Sequence, residues 1–439
     1  MTMHKRIDEN PFTGCRCTEV RHESGLIVRV CELPDFHTVS MKLCVRFGGL
    51  DLHYRTDGTE FHVLPGTAHF LEHQLFENKD INALSAFSKL GAEANACTDG
   101  ISTVYEAHTA ENPCEVLALL LKTVQEPAFT DKTVSKERGI IMSELRQAMD
   151  HPFFKAKLQM RQIRCPGHPE CEDVLGNMKS LSEISRDMLM QAYSHWYTPN
   201  NMLLSCAGNI TLEEVLETVD RVLERIPPRQ TEALFPPVKL IPPQRSAVLR
   251  ERHISAPLTA IEYACDLTGK PPEERYYSWM YSTLACDLIF GDMTEFEEEM
   301  LHSDMYSSAK QIYSSSTNFC TTVFLAVSVQ DSEQYMNAVF CELENAKRKG
   351  LDAELFRIIM RSAYANACSK QGTPNNMAGL MYASWLDGFQ PFDTVRLYHA
   401  CRLSDIEKAL PSLFPQEQCM RFDLLPDSSG EEEGEDGNV

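Results

Sequence analysis

Three proline pairs lie close together near the middle of the 439-residue chain, at positions 227–228, 236–237 and 242–243. Proline has a fixed φ angle and no backbone N–H group, so it interrupts both helices and central strands. A stretch this rich in proline predicts a linker, which we place at residues 230–245. The flanking segments, residues 1–229 and 246–426, each have the length of one compact domain.

The last segment, residues 427–439, is strongly acidic. It contains no basic residue and no apolar residue before its final valine. A segment of this composition cannot bury enough apolar surface to fold, so we expect a disordered tail.

Runs typical of strands alternate with helical patterns in both halves of the chain. The strand-like runs are residues 26–30, 39–47, 101–109, 202–210, 257–267 and 321–330, and the clearest helix candidates are residues 133–149 and a long segment from residue 273. Pro152 should close the first of these helices, because proline disfavours helical geometry in the residue before it. We therefore expect an α+β fold of two related domains of similar size. Each would be an antiparallel-rich sheet packed with helices, and the linker would join them.

Charge and composition exclude several classes of protein. The chain has 63 acidic and 41 basic residues, a net charge of −22, and no basic run that could bind phosphates, so we expect no nucleic-acid partner. The first residues, MTMHKRIDENPF, have a basic start without a following apolar stretch, which predicts neither a signal peptide nor a membrane span. Sixteen cysteines scattered along a long chain favour reduced thiols. Together these features predict a cytoplasmic protein without a membrane partner.

The segment GTAHFLEHQLFE, residues 66–77, has two histidines four positions apart and a glutamate directly before the second. On a helix, His69, Glu72 and His73 would share one face. Two neutral imidazoles at this spacing can bind one zinc ion, and the adjacent carboxylate can take a proton from the metal-bound water. This is the inverted zinc-peptidase motif, HxxEH. A simpler interpretation is that the histidines are ordinary polar residues on a helix face.

A catalytic zinc site needs three protein ligands and one open position. The helix candidate at residues 133–149 carries Glu137 and Glu144, which are seven positions apart and therefore lie on one face, two turns from each other. Paired carboxylates are usually just a solvated helix face. Beside an HxxEH segment, however, they become candidates for completing the zinc site.

Four segments, in chain order, resemble the pitrilysin family of inverted zinc peptidases, which includes insulin-degrading enzyme and the mitochondrial processing peptidase. GTAHFLEHQLFE is similar to the family's active-site helix, and LGAEANACTDGISTVYE is similar to its glycine-rich turn and substrate strand. KERGIIMSEL resembles the helix with the third ligand, and WYTPNNMLLSCAGNI resembles the strand that follows it. The resemblance spans residues 66–210, and the second half matches mainly by length and style. In size the chain resembles a short bacterial processing-peptidase branch.

The resemblance implies a cofactor and a role for each matching residue. The cofactor would be one Zn²⁺ ion per chain. Asn95 and Ala96 would lie on an edge strand that pairs with the extended backbone of a peptide substrate. The metal site would comprise zinc ligands His69, His73 and Glu144, the general base Glu72, and a supporting catalytic carboxylate, Glu137.

The chain departs from the family pattern in its second half, where family peptidases carry an arginine and a tyrosine that help bind the substrate carbonyl. In residues 290–306, FGDMTEFEEEMLHSDMY, acidic residues stand where the arginine is expected, and Tyr306 is the candidate tyrosine. The family's substrate chamber is built from four α/β units, and this chain supplies about two. The resemblance therefore implies a second family subunit, with a heterodimer favoured over a homodimer. A closed chamber would select short or unfolded peptides.

We therefore predict a zinc metalloendopeptidase that hydrolyses peptides or unfolded segments. The alternative is a non-catalytic or partner-dependent peptide-binding subunit of a heterodimeric processing peptidase. A structural zinc site is a third interpretation, but such sites favour cysteine ligands and close all four positions.

Two cysteine motifs stay outside this assignment. CPGHPEC, residues 165–171, offers at most three metal ligands at an unusual spacing, so we interpret it as a surface loop. Cys15 and Cys17 form a CxC pattern near the start of the chain, and we expect them to be plain reduced thiols.

Overall fold

The computed structural model describes residues 5–76, 83–223, 228–235, 246–251, 257–303, 305–317, 319–329, 331–369, 371–415 and 419–427. The strands in these residues are β1 (Lys5–Glu9), β2 (Arg16–Arg21), β3 (Ile27–Glu32), β4 (Val39–Val45), β5 (His53–Thr56), β6 (Thr59–His62), β7 (Ala92–Thr98), β8 (Thr103–Thr109), β9 (Met202–Gly208), β10 (Thr231–Ala233), β11 (Ser246–Glu251), β12 (Leu258–Asp266), β13 (Tyr306–Ser316), β14 (Cys320–Val329) and β15 (Cys419–Pro426). The helices are α1 (Thr67–Phe76), α2 (Ala83–Lys89), α3 (Pro113–Gln125), α4 (Asp131–Met149), α5 (Pro152–Arg164), α6 (Met178–Glu183), α7 (Arg186–Trp196), α8 (Leu212–Val222), α9 (Pro272–Phe290), α10 (Glu295–His302), α11 (Ser332–Lys349), α12 (Ala353–Ser369), α13 (Pro374–Asp387), α14 (Asp393–Ala400) and α15 (Leu403–Leu413).

The chain forms two compact units, and each combines segments that are distant in sequence. The first unit comprises Met1–Leu145, Glu172–Phe235 and Tyr364–His399, and the second comprises Arg146–Cys171, Pro236–Ala363 and Ala400–Val439. Within the predicted linker, residues 231–233 form β10, whereas residues 236–245 lie outside the described residues. The domain limits proposed from the sequence therefore stay a prediction, and so does the disordered tail, which lies outside the described residues from position 428 onward.

A seven-stranded sheet organises the first unit, with strand order β1-β2-β3-β9-β4-β8-β7. Neighbouring strands are antiparallel except for β3 and β9, which run parallel. Every residue of β4 and β9 is buried, which explains why apolar residues dominate both runs. The buried Lys42 of β4 is an exception, and its ammonium group pairs with Glu106. A second, three-stranded sheet has the order β10-β5-β6.

Helix α1, which carries the HxxEH segment, begins directly after a tight glycine turn. Gly66 has a φ of +89°, and a side chain at this position would place its Cβ 2.9 Å from the Leu175 carbonyl oxygen. Glycine is therefore required both by the backbone angle and by the space available. Leu71 and Leu75 are buried at 0% and 3% exposure, so the apolar side of α1 packs in the core of the unit.

The second unit is built on a five-stranded sheet with the order β11-β15-β12-β14-β13. It is antiparallel except for the parallel pair β11 and β15. One face of this sheet packs against α5, where Ala156 and Met160 join Leu258, Phe324 and Phe422 in a buried cluster. Both units are thus antiparallel-rich sheets with one parallel pair, packed with helices, which confirms the predicted α+β class of two related domains.

The strongest sequence patterns correspond to observed elements, including β3, β4, β8, β9, β12, β14, α4 and α9. Strand β7 was not evident from periodicity, because its sequence AEANACT contains no large apolar residue. An edge strand with only one neighbour has less surface to bury, so it produces no clear apolar alternation. No helix in the described part of the chain combines the length and apolar character needed to cross a membrane.

The interpretation of residues 165–171 as a surface loop was wrong. Cys165, His168 and Cys171 have exposures of only 2%, 5% and 7%. The Cys171 thiol contacts both the carbonyl oxygen and the Sγ atom of Cys165. The segment is polar and contains two prolines, but it folds back on the end of α5 and buries its cysteines.

Candidate metal centre

Helix α1 places three chemically useful side chains on one face, as the spacing predicted. His69, Glu72 and His73 each offer a ligand atom, and these atoms lie within 4.8 Å of one another. In the part of the chain that the structure describes, no other group of three or more His, Cys, Asp or Glu side chains converges in this way. The imidazole rings of the two histidines are 4.7 Å apart between centroids.

Helix α4 adds the two predicted carboxylates to this face. Glu144 Oε2 lies 3.8 Å from His69 Nε2 and 3.7 Å from His73 Nε2. Glu137 lies two turns before Glu144 on the same face of α4. It is buried at 5% exposure, and its Oε2 lies 3.1 Å from His73 Nδ1. Glu137 and Glu144, which lie 64 and 71 positions after His73 in the sequence, are therefore brought to opposite sides of its imidazole ring.

These contacts determine how the His73 ring is held. Because Glu137 accepts the Nδ1–H of the ring, the proton is fixed on Nδ1 and the Nε2 lone pair is directed toward Glu144. Carboxylate-to-histidine contacts of this kind orient metal-binding imidazoles and raise their basicity. Glu137 is therefore placed to act on a metal through His73.

Electrostatics differ between the two histidines. Burial and the neighbouring His73 lower the pKa of His69 to about 3, which keeps its imidazole neutral, as metal binding requires. Burial also opposes the charged form of His73, but the hydrogen bond to Glu137 and the charges of Glu72 and Glu144 raise the pKa of His73 above its usual value. In the charged form of the ring, Nε2 also carries a proton. A divalent cation bound at Nε2 would take the place of this second proton.

The set of donor atoms fits zinc. Two imidazole nitrogens and a carboxylate oxygen form a donor set that zinc uses in catalytic sites. Three carboxylates surround the two histidines, and Lys136, whose Nζ is 3.7 Å from Glu137, is a largely exposed cation beside them. His69 Nδ1 is buried without a hydrogen-bond partner among the described residues. Glu144 keeps 45% of its side chain exposed, so one side of the group faces solvent.

Thr98 was not anticipated from the sequence. Its hydroxyl donates a 2.6 Å hydrogen bond to Glu72 Oε2. Burial raises the pKa of Glu72, while the Thr98 hydrogen bond and the nearby His73 act in the opposite direction. The contact joins residues 26 positions apart, and a lone threonine in a strand gives no pattern from which it could be foreseen.

Strand β7 carries the predicted substrate residues and ends the seven-stranded sheet. Ala96 is two residues from Thr98, so both side chains lie on the sheet face toward Glu72. Asn95 is exposed and lies on the opposite face. Any contact of Asn95 with a peptide at this edge would therefore involve the backbone or the face away from α1.

Tyr306 begins β13 in the second unit, where it pairs in register with Val329. Its side chain lies outside the described residues. The acidic segment before it forms α10, in which Glu297 is buried and 2.6 Å from the Lys310 Nζ. The predicted role of Tyr306 in substrate binding stays a prediction.

Two family models match the chain. Residues 53–164 match a model described as "Insulinase (Peptidase family M16)". Residues 183–362 match a second model, described as "Peptidase M16 inactive domain".

Curated relatives match the chain over about half of their own length. A Bacillus subtilis protein described as "Uncharacterized zinc protease YmfH" is 35% identical over 198 residues, which cover 45% of this chain and 46% of YmfH. A Schizosaccharomyces pombe protein described as "Probable mitochondrial-processing peptidase subunit beta" is 28% identical over 237 residues, covering 52% of this chain and 50% of that protein.

Solved structures share the fold over nearly the whole chain. An M16-like peptidase from Alicyclobacillus acidocaldarius superposes with a TM-score of 0.86 at 20% identity, covering 97% of this chain and 99% of that one. The periplasmic protease PqqL from Escherichia coli gives a TM-score of 0.74 at 18% identity, covering 96% of this chain and 48% of that one.

Proposed function

Because the chain belongs to the pitrilysin family of zinc peptidases, we propose that it is a zinc-dependent endopeptidase acting on peptides or unfolded segments. The observation that carries this proposal is the position of Glu144 Oε2, within 3.8 Å of the Nε2 atoms of both His69 and His73. An ordinary solvated helix face does not explain why side chains from two helices converge with their ligand atoms facing one another.

His69, His73 and Glu144 would hold the zinc ion, and Glu137 would orient His73. When bound, zinc polarises the scissile carbonyl and lowers the pKa of the attacking water. Because the Glu144 side chain is partly exposed, solvent could reach the metal site. A catalytic zinc site needs this access, whereas a structural zinc site has all four positions closed by protein ligands.

Glu72 is the proposed general base. Burial raises the pKa of its carboxyl group, which makes the carboxylate a better proton acceptor near neutral pH. Thr98 hydrogen-bonds to Oε2, leaving Oε1 as the candidate atom to take a proton from water. The same carboxyl group would then return the proton to the nitrogen of the leaving amine.

The edge strand β7 is the proposed substrate-binding element. An extended peptide could add a strand beside residues 95–98, with main-chain hydrogen bonds providing affinity that is independent of sequence. Thr98 lies in this strand and contacts Glu72. A peptide paired along β7 would therefore run close to the proposed base. The Ala96 side chain would lie on the sheet face nearest α1.

We further propose that a second family subunit, in a heterodimer rather than a homodimer, completes the substrate chamber. Residues 290–306 contain no arginine, and the buried Glu297 of this segment is paired with Lys310. Since α10 is acidic and offers no arginine, the cationic group that helps bind the substrate carbonyl would come from another chain. Sixteen cysteines scattered along a long chain, rather than spaced as a disulfide framework, support the cytoplasm as the compartment.

The second candidate is a non-catalytic or partner-dependent peptide-binding subunit. The observation that favours it is the match of residues 183–362 to a model described as an inactive domain, together with the acidic α10. Against it stands the full set of two histidines and three glutamates in the first unit, which peptide binding alone does not require.

The decisive experiment is digestion of a mixed peptide library by the purified chain with zinc, read by mass spectrometry beside a Glu72→Gln variant. Zinc content is measured in both proteins. Cleavage by the wild type alone would support the endopeptidase. Bound zinc without cleavage would favour the partner-dependent subunit, and absence of bound zinc would contradict the metal site.

A further inference from the structure

Two cysteines far from the metal centre lie side by side in the first unit. Cys15 directly precedes β2 and Cys31 lies in β3, and their Sγ atoms are 3.4 Å apart. We propose that Cys15 and Cys31 are an oxidisable dithiol, which a hydroperoxide converts to an intramolecular disulfide. This modification site is independent of the proposed peptidase activity. It also changes the interpretation of the CxC motif, because the partner of Cys15 is Cys31 and not Cys17.

The two thiols differ in their access to solvent. Cys15 is partly exposed and follows four exposed residues, 11–14. Cys31 has an exposure of 0% and packs in a cluster with Met377, Met381 and Phe392. A small oxidant therefore reaches Cys15 first, while Cys31 is reached only through Cys15.

The same contact assigns different acid–base roles to the two sulfurs. The hydrogen bond from Cys31 lowers the pKa of Cys15 against the opposing effect of burial, and the backbone of Arg16 contributes in the same direction. The pKa of Cys31 is raised by this hydrogen bond and by burial. Since the thiolate is the nucleophilic form, Cys15 is the attacking thiol and Cys31 remains protonated until the second step.

The chemistry closes in two steps. The Cys15 thiolate attacks one oxygen of a hydroperoxide, so that an S–O bond forms and the O–O bond breaks. Cys15 becomes a sulfenic acid, and the alcohol or water released takes up the proton that Cys15 has lost. The Cys31 sulfur then attacks the Cys15 sulfur, the S–O bond breaks, and the departing hydroxide takes the Cys31 proton to leave as water. Two thiols are oxidised by two electrons in total, and one peroxide is reduced by two.

Bond formation requires only a short movement of the sulfurs. The 3.4 Å separation must fall to about 2.05 Å in a disulfide. Cys15 lies before the first paired residue of β2. Its carbonyl oxygen accepts a hydrogen bond from the Asn10 N–H and its own N–H donates to Thr13 Oγ1, so rotation of the side chain has to supply the movement. Cys17, by contrast, is buried within the strand, and its Sγ contacts Met381 Sδ at 3.3 Å.

The chain contains its own comparison. Cys165 and Cys171 have Sγ atoms 3.7 Å apart, nearly the same separation. Both are buried, at 2% and 7% exposure. The contact with Cys165 also lowers the pKa of Cys171, to about 7. If proximity and a lowered thiol pKa decided oxidation, both pairs would therefore react. If access of one thiol decides it, only Cys15 and Cys31 react in the native chain.

The test is oxidation of the native full-length chain with a small excess of hydrogen peroxide, followed by alkylation of free thiols in denaturant and digestion with trypsin. Cleavage after Arg6, Arg16, Arg21, Arg29 and Lys42 places Cys15, Cys17 and Cys31 in three different peptides, residues 7–16, 17–21 and 30–42. We expect a cross-linked species of the first and third peptides that dithiothreitol separates. Peptide 17–21 and the peptide 165–179, which holds both Cys165 and Cys171, should remain fully alkylated. Cross-linking of Cys15 to Cys17, stable over-oxidation of Cys15, or equal oxidation of both pairs would overturn the proposal.

A pair of variants tests the order of events. Cys31→Ala removes the resolving thiol, so Cys15 should accumulate as a sulfenic acid that a cyclic 1,3-diketone labels. Cys17→Ala is the matched control and should retain the cross-link. A Cys31→Ala chain with no label on Cys15 would contradict Cys15 as the attacking thiol. The cross-linking test on the wild-type chain does not depend on these variants. If one of the variants fails to fold, the proposal is still tested by the wild-type chain.

Discussion

The Thr98 hydroxyl donates a 2.6 Å hydrogen bond to the Glu72 carboxylate and so ties the edge strand β7 to helix α1. The two residues belong to different parts of the proposed site, one to the strand that would hold the peptide and the other to the base. Because this bond links the two elements, it holds the base at a fixed position relative to a peptide backbone paired with β7.

Replacement of the proposed base tests the chemistry with little change in shape. Glu72→Gln keeps an oxygen that can accept the Thr98 hydrogen bond but removes the proton acceptor. We expect unchanged zinc content and a loss of peptide hydrolysis on the order of 10²- to 10⁴-fold. Activity would be followed with a peptide found by the library digestion and zinc by elemental analysis. Hydrolysis at the wild-type rate would exclude Glu72 as the base.

Removal of the Thr98 hydroxyl tests positioning of the base. Thr98→Val keeps the shape of the side chain but removes a hydrogen bond to a carboxylate, worth about 1.5–3 kcal/mol. We expect kcat to fall by about 10- to 100-fold, while KM and zinc content stay near the wild-type values. Thr98→Ser restores the hydroxyl and should recover most of the rate. A loss of kcat in the serine variant together with wild-type kcat in the valine variant would show that packing of the methyl group, and not the hydrogen bond, matters.

Glu137 should affect zinc affinity without binding zinc itself. Its carboxylate holds the His73 ring through Nδ1 at 3.1 Å, and loss of such a supporting partner weakens metal binding by about 10- to 100-fold. Glu137→Gln should therefore need less chelator to release zinc, whereas Glu144→Gln should weaken binding more. Ser135→Ala, an exposed position on the same helix, is the control. A Glu137→Gln affinity equal to that of the control would contradict this role.

Asp51 should make stability depend on pH. It is buried at 6% exposure and accepts a 2.7 Å hydrogen bond from the Gly48 backbone N–H. Burial raises the pKa of its carboxyl group from 3.8 to about 8. Between these values the folded chain keeps a proton that the unfolded chain has lost. The contribution of Asp51 to stability is thus fully present below the unfolded pKa and falls as pH rises toward the folded one.

The variant Asp51→Asn isolates this effect, because an amide oxygen can accept the same hydrogen bond but does not titrate. We expect the Tm of the variant, relative to the wild type, to increase between pH 5 and pH 8. Thermal unfolding of both proteins at matched ionic strength provides the measurement. A difference in Tm that is constant over this pH range would show that Asp51 is already ionised in the folded chain.

Much of the fold followed from local sequence patterns. The largely apolar runs of β4 and β9 predicted strands, and both faces of these strands are buried. The i, i+4 spacing of His69 and His73 and the seven-residue spacing of Glu137 and Glu144 needed only the period of a helix, which is a local property. Strand β7 was predicted only through the family resemblance, since its small and polar residues carry no periodic signal.

Tertiary packing alone decided which of these side chains meet. No sequence pattern specifies that Glu144 lies within 3.7 Å of His73, that Thr98 contacts Glu72, or that the partner of Cys15 is Cys31. The burial of Cys165 and Cys171 was likewise missed, because a polar, proline-containing segment gave no apolar signal. Helix and strand periodicity arises from hydrogen bonding and sterics between neighbouring residues and can be read along the chain. Distances between elements depend on how apolar faces from many parts of the chain pack together. Residue spacing therefore indicated only the types of ligand, the family resemblance named His69, His73 and Glu144 together, and the distances between them came from the folded structure.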